Sequence, residues 1–229
     1  MSAKGRGEHR GGDLDFYPTP AWCVDRLLDD CGEELLLNSY GDVLEPTVGD
    51  GAIVRACTAW LDAAGTNEAP AAVLNWTGVE LRRGGLDPRT QLRDHVEGVD
   101  FRSWEPPSRF ALAIGNPPYN VAESIIRRCL GISDVVCMLL HLGFLGSDER
   151  VDFFRGIGSD FALRILPERP SFDGEGTDSI PSAWYVWNHP GIRGVKLLDT
   201  TPAGVRRAQK PQALEFNSRQ VSIFDRVGT

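Results

Sequence analysis

The stretch "ALAIGNPPYN", residues 111–120, brings together residue types that can do chemistry at one point of the chain. Asn116 precedes a proline and is pushed out of the helical region, while Pro117 and Pro118 fix their own φ angles and donate no backbone hydrogen bond. The result is a stiff, extended corner with two outward acceptors, the Asn116 side-chain oxygen and the Pro117 carbonyl. An exocyclic amino group has two N–H donors. Two fixed acceptors can hold both and aim the nitrogen lone pair at an electrophile. Tyr119 then offers a face for a planar ring. Such a corner suits alkylation of an amine or amide nitrogen that conjugation has made a weak nucleophile. The plainer reading, a proline turn that merely ends a strand, fits less well with the residues upstream.

Those residues are glycines and acids. In "LEPTVGDGAIV", Gly49 and Gly51 permit a tight turn and a close approach of ligand to backbone, with free N–H groups at the start of the helix that follows. A dinucleotide fingerprint requires a third glycine where Val54 stands. Glu45 and Asp50 flank the turn and would repel a pyrophosphate, so the turn suits a ligand carrying positive charge. Glu80 ends the next apolar stretch, where a carboxylate can accept both hydroxyls of a ribose. Asp100 ends the one after, placed to accept from an adenine amino group, and Phe101 beside it supplies a ring face. Taken in order, these acids outline an adenosine site.

The elements that must hold these residues follow from the pattern. "DVLE", "AAVLNWTGVE", "HVEGVD", "FALAIG" and "DVVCMLLH" read as strands, and helical spacing follows Pro20, Gly51 and Tyr119. "DERVDFFRGIG" reads as a further helix, and "FALRILPERPSFDGEGTDSIPSAWYVWN" as two strands around a long polar loop. Strands alternating with helices, most of them continuously apolar, indicate an α/β fold: a Rossmann-like, mostly parallel seven-stranded sheet with helices on both faces and an antiparallel final hairpin. Ligands in such sheets bind at the carboxyl ends of strands. Glu45, Gly49, Gly51, Glu80, Asp100 and Asn116 all fall there.

Composition narrows the class. The 229 residues carry a net charge of −8 and contain no apolar run long enough to span a bilayer. The five cysteines are scattered without a CxxC pair and the four histidines are dispersed, which points to reduced thiols in a cytoplasmic protein without a metal site.

The motifs resemble those of the S-adenosylmethionine-dependent amino-group DNA methyltransferases, and within them the N6-adenine enzymes of phage and prophage type. The resemblance runs from about Phe16 to about Trp187. "FYPTP" is similar to the N-terminal motif that contacts the methionine part of the cofactor, which implicates Tyr17, Thr19 and Pro20. "LEPTVGDG" resembles the first cofactor motif, with Glu45, Pro46, Gly49 and Gly51. "GVEL" carries the ribose-binding acid, Glu80, and "VDF" the adenine-contacting pair, Asp100 and Phe101. "NPPY", residues 116–119, resembles the catalytic tetrad, so the resemblance implies catalytic roles for Asn116, Pro117, Pro118 and Tyr119. "RPSF…GTDS…AWYVW" is similar to the late strand–loop–strand of the phage proteins, where Phe172 would help to hold a flipped base.

The implied activity is methyl transfer from S-adenosyl-L-methionine to adenine N6 in DNA. N4-cytosine, structured RNA and a protein glutamine amide are the alternatives, and a non-catalytic nucleic-acid-binding subunit is the competitor from another class. The expected organisation is a flexible basic leader (1–12), a catalytic domain (13–190) and a basic C-terminal tail or small extension (191–229). The tail carries Arg193, Lys196, Arg206, Arg207, Lys210 and Arg219, which read either as a solvated end or as a phosphate-gripping strip. It is short for a full recognition domain, which points to a separate recognition subunit or an oligomer.

Overall fold

The computed structural model describes residues 18–37, 41–64, 74–146, 148–157, 161–171 and 180–200. Its strands are β1 (Asp42–Glu45), β2 (Asn75–Glu80), β3 (Asp94–Glu97), β4 (Phe110–Gly115), β5 (Ser133–His141), β6 (Phe161–Ile165), β7 (Ser182–Trp187) and β8 (Val195–Leu197). They form one sheet in the order β3-β2-β1-β4-β5-β7-β6-β8. The pairs β1–β2, β1–β4, β2–β3, β4–β5 and β6–β8 are parallel, while β7 runs antiparallel to both β5 and β6. Strands β1, β2, β4, β5 and β7 are almost wholly buried. That accounts for their continuous apolar sequence.

Helices cover both faces, and strand side chains divide between them residue by residue. Cys137 and Leu139 of β5, with Trp184 and Val186 of β7, pack in one cluster with Val24, Leu27 and Leu28 of α1 (Ala21–Gly32) and Ile53 and Cys57 of α2 (Ala52–Ala64). Val136, Met138 and Leu140 instead join Ile125, Ile126 and Cys129 of α3 (Ala122–Ile132) and Phe153 of α4 (Val151–Ile157). The period of two in each strand and the i, i+3, i+4 spacing in each helix produce this sandwich. The five cysteines are free and buried.

Two expectations are corrected. The sheet has eight strands, because Val195–Leu197 pairs with β6 inside the stretch assigned to a tail. Three residues with a central lysine show no strand pattern. The pairing is imposed by their flanks: Gly194 turns the chain at φ 66° and accepts from the Leu163 N–H at 2.9 Å, and buried Leu198 donates to Ile165 at 2.8 Å. Strand β3 ends at Glu97 rather than at Asp100, since Gly98 adopts φ 71° and breaks the extended backbone. Asp100 therefore stands on the loop beyond.

Helix α1 is pinned to the far half of the sheet near both of its ends. Arg164 of β6 is 7% exposed and donates through Nε to Asp30 Oδ2 at 2.6 Å, and Lys196 of β8 meets the same carboxylate. Trp184 Nε1 donates to the Cys23 carbonyl at 2.9 Å. The bond at Cys23 anchors the first turn of α1, directly after the segment that carries Thr19 and Pro20.

Candidate active site

The turn after β1 is built by its glycines. Gly49 and Gly51 have φ of 55° and 79°, a region other residues enter only with strain, and a side chain on Gly51 would collide with Thr90. Val48 N–H donates to Val79 at 3.0 Å, which lays the turn across the end of β2. Asp50 caps α2, with Oδ1 accepting from the Ala52 N–H at 3.0 Å. Its Oδ2 lies 2.9 Å from Arg55 Nη2, so Asp50 does not leave the turn with the uncompensated negative charge expected of it.

Glu45 is different. It is 2% exposed at the end of β1, and its Oε2 has no hydrogen-bond partner among the described residues. Burial first, and the nearby Asp50 charge second, raise its pKa well above the ordinary value. The unfolded chain ionises this carboxyl at its ordinary pKa of 4.5, while the folded protein keeps the proton to higher pH. Between those two pKa values the folded state binds more protons, so this group's contribution to stability falls as pH rises. Glu45→Gln should therefore raise the melting temperature at pH 7, by about 2–4 °C for each kcal/mol in a chain of this size. The gain should vanish below pH 4.5, and paired melting curves at pH 4 and pH 7 measure it. A gain independent of pH would mean that ionisation is not the cause.

Glu80 sits at the end of β2, 8% exposed, and its two oxygens are already divided. Oε2 accepts from the Gly49 N–H at 2.8 Å, and Oε1 accepts from Arg82 through backbone N–H at 3.0 Å and Nε at 3.1 Å. Asp100 makes the same pattern with Arg102 two residues on, at 2.6–3.0 Å, and that pairing lowers its pKa. Phe101 lines the cleft but is only 3% exposed, with its ring 6.1 Å from that of Trp104. It is a wall of the cleft rather than an open stacking surface.

The corner after β4 meets the N-terminal segment directly. Asn116 Nδ2 donates to the Thr19 hydroxyl at 3.1 Å. With its NH2 engaged, the amide oxygen is the atom left to accept. Pro117 is buried, Pro118 lines the cleft beside Asn116, and Tyr119 projects outward, 36% exposed. The Tyr119 ring lies 3.9 Å from the ring of His141, centre to centre.

These residues share one cleft of about 810 Å3, counting space open to solvent. It is lined by Thr19, Glu45, Pro46, Gly49, Glu80, Asp100, Phe101, Asn116 and Pro118. It lies over the carboxyl ends of β1 and β4, where the strand order reverses and open α/β sheets bind ligands. Tyr17 and Phe172 lie outside the described residues. Arg55, Arg82, Arg102 and His141 were not singled out by sequence. Acid-x-Arg spacing was a readable signal for Arg82 and Arg102, and His141, the polar residue ending an apolar run, matched the pattern of the other strand-end residues. Among the described residues no group of acids, histidines and cysteines could hold a metal ion.

No protein-family model matches the sequence. A segment of the chain is 40% identical over 83 residues to the Type II methyltransferase M.TthHB8I of Thermus thermophilus; the segment is 35% of this chain and spans only 16% of that relative. Among solved structures, a protein of Listeria monocytogenes assigned to the class I S-adenosylmethionine-dependent methyltransferases superposes with a TM-score of 0.60 at 10% identity, covering 83% of this chain and 69% of its own. A modification subunit assigned to a type I restriction enzyme of Vibrio vulnificus superposes with a TM-score of 0.56 at 14% identity, covering 83% and 49%. The fold is therefore that of these methyltransferases.

Proposed function

We propose that this chain is an S-adenosyl-L-methionine-dependent methyltransferase that methylates the exocyclic N6 of adenine in DNA. One observation carries the reading: the Thr19–Asn116 hydrogen bond joins the "YPTP" segment to the Asn-Pro-Pro-Tyr corner inside the cleft that Glu45, Gly49 and Glu80 enclose. Parts that resemble a cofactor site and an amino-group site thus become neighbours, although 97 residues separate them in sequence. The methyltransferase relative of Thermus thermophilus and the restriction-modification subunit among the fold neighbours support DNA as the substrate.

The cleft fits such a cofactor. The buried, unpartnered Glu45 oxygen and the remaining lone pairs of the Glu80 and Asp100 carboxylates provide acceptors, the glycine turn allows close approach, and Pro46 and Phe101 provide apolar walls. Thr19 and Pro20 would close its methionine side, together with Tyr17. When bound, the sulfonium supplies an electrophilic methyl group. The chain's own contribution is position. The Asn116 amide oxygen and the Pro117 carbonyl take the two amino hydrogens, leaving the nitrogen lone pair directed along the line of transfer. Fixed acceptors also stabilise the positive charge that develops on the nitrogen without reorganising. The proton is lost after transfer, when the nitrogen is acidic.

The reacting nitrogen is inside the stack of a duplex, so the base must be swung out, with Tyr119 and Phe172 receiving it. Catalysis is assigned to residues 13–190 together with β8. Of the basic residues named downstream, Lys196 is engaged with Asp30, and Arg193 Nε donates to the Pro190 carbonyl at 3.1 Å. Arg206, Arg207, Lys210 and Arg219 lie outside the described residues.

Incubation of the purified protein with tritiated S-adenosyl-L-methionine and, in parallel, DNA, RNA and total protein tests the substrate class. Label should enter DNA. Label confined to protein would favour a glutamine amide, and label confined to RNA would move the substrate.

A further inference from the structure

The two prolines fix the backbone of the Asn-Pro-Pro-Tyr corner but not the side-chain torsions of Tyr119. A ring that is 36% exposed on a turn gains no orientation from its own main chain. It meets the ring of His141, the last residue of β5, with ring centres 3.9 Å apart and planes inclined by 38°. His141 is itself held by the sheet. It pairs with Ser182 in the β5–β7 ladder, and its carbonyl accepts from the Tyr185 hydroxyl at 3.1 Å. β5 lies beside β4 in the sheet, so the residue ending β5 emerges next to the corner that follows β4.

We infer that His141 is a positioning residue, whose imidazole backs the Tyr119 ring and sets the angle at which that ring meets a planar substrate. This rests on the reading of Tyr119 as the ring that receives the base. Two aromatic groups in contact prefer a restricted set of offsets and tilts. His141 projects from backbone that the sheet holds, so the ring contact ties the Tyr119 platform to the end of β5.

The role makes a specific demand on a double-mutant cycle. Removing His141 should matter only while the tyrosine is present. His141→Ala should lower the single-turnover rate of methyl transfer to DNA about tenfold, a cost on the scale of misplacing a reacting group. His141→Phe, which restores a flat ring, should recover most of that rate. In a Tyr119→Ala background, His141→Ala should cause little additional loss. S-adenosyl-L-methionine affinity should be unchanged in all four proteins, since neither side chain lines the cleft wall beside Glu80 and Gly49.

The contact is also testable without substrate. Tyr119→Leu should remove a ring-current shift from the His141 imidazole resonances in the NMR spectrum of the full chain. Additive losses in the cycle, failure of His141→Phe to recover rate, or imidazole resonances unmoved by Tyr119→Leu would each overturn the inference. If the wild-type chain methylates no DNA, the proposed function fails first, and the role given to His141 fails with it.

Discussion

Asn116→Ala is expected to reduce single-turnover methyl transfer by at least ~100-fold, the scale on which one preorganised polar group is lost from a reacting centre. In the proposed mechanism the variant removes the amide oxygen that would accept one amino hydrogen, so the lone pair would no longer be aimed. It also releases Thr19, whose hydroxyl takes the amide N–H at 3.1 Å. Thr19→Val should therefore reproduce part of the loss, by freeing the amide to turn while leaving its oxygen present. Tyr119→Phe keeps the ring and should retain much of the activity, whereas Tyr119→Ala should lose most of it. Cofactor affinity, measured by calorimetry, should change little in the Asn116 and Tyr119 variants. A wild-type rate for Asn116→Ala would reduce the corner to a structural turn.

Glu80→Ala carries the second large effect, on cofactor binding. The carboxylate anchors the Gly49 N–H at 2.8 Å and the Arg82 backbone and side chain at 3.0 and 3.1 Å. Truncation removes the acceptor proposed for the ribose and also untethers the glycine turn that forms the neighbouring wall. Charge-assisted hydrogen bonds contribute about 1.5–3 kcal/mol each, so affinity for S-adenosylhomocysteine should fall by roughly ten- to a hundredfold. Arg82→Ala separates the two roles of Glu80. It leaves the Gly49 tether and the backbone N–H bond intact and removes only the side-chain donor from Oε1, so affinity should hold or improve. Unchanged affinity in Glu80→Ala would remove this residue from the site.

The fold was legible because strand and helix periods are written in local sequence. The runs ending at Glu45, Glu80, Gly115 and His141 are apolar enough to be buried on both faces, and each stops at a polar residue or a glycine. The same logic failed where tertiary pairing overrode local pattern. "VKL" at 195–197 is a strand only because Gly194 and Leu198 fasten it to β6. Asp100 was placed on a strand that Gly98 had already ended.

Within the site, single-residue chemistry was readable and pairwise geometry was not. Glu45, Glu80 and Asn116 were found by position at strand ends. That Asp50 and Asp100 carry arginine partners changes the electrostatics of the cleft from acidic to balanced, and the two partners lie five and two residues from their acids. Proximity in sequence offered the pairing without deciding it. The contact between Tyr119 and His141 joins the ends of two strands and has no local signature at all.

The central claim is that this cleft places a methyl group on adenine N6, with Asn116 aiming the nitrogen. The most direct measurement incubates unmethylated DNA with purified protein and S-adenosyl-L-methionine bearing a trideuterated methyl group. The DNA is then digested, and its nucleosides are weighed by mass spectrometry for the wild type and Asn116→Ala. The expected result is trideuterated N6-methyldeoxyadenosine from the wild type and at least ~100-fold less from the variant. Label on cytosine N4, no labelled nucleoside at all, or equal labelling by both proteins would contradict it.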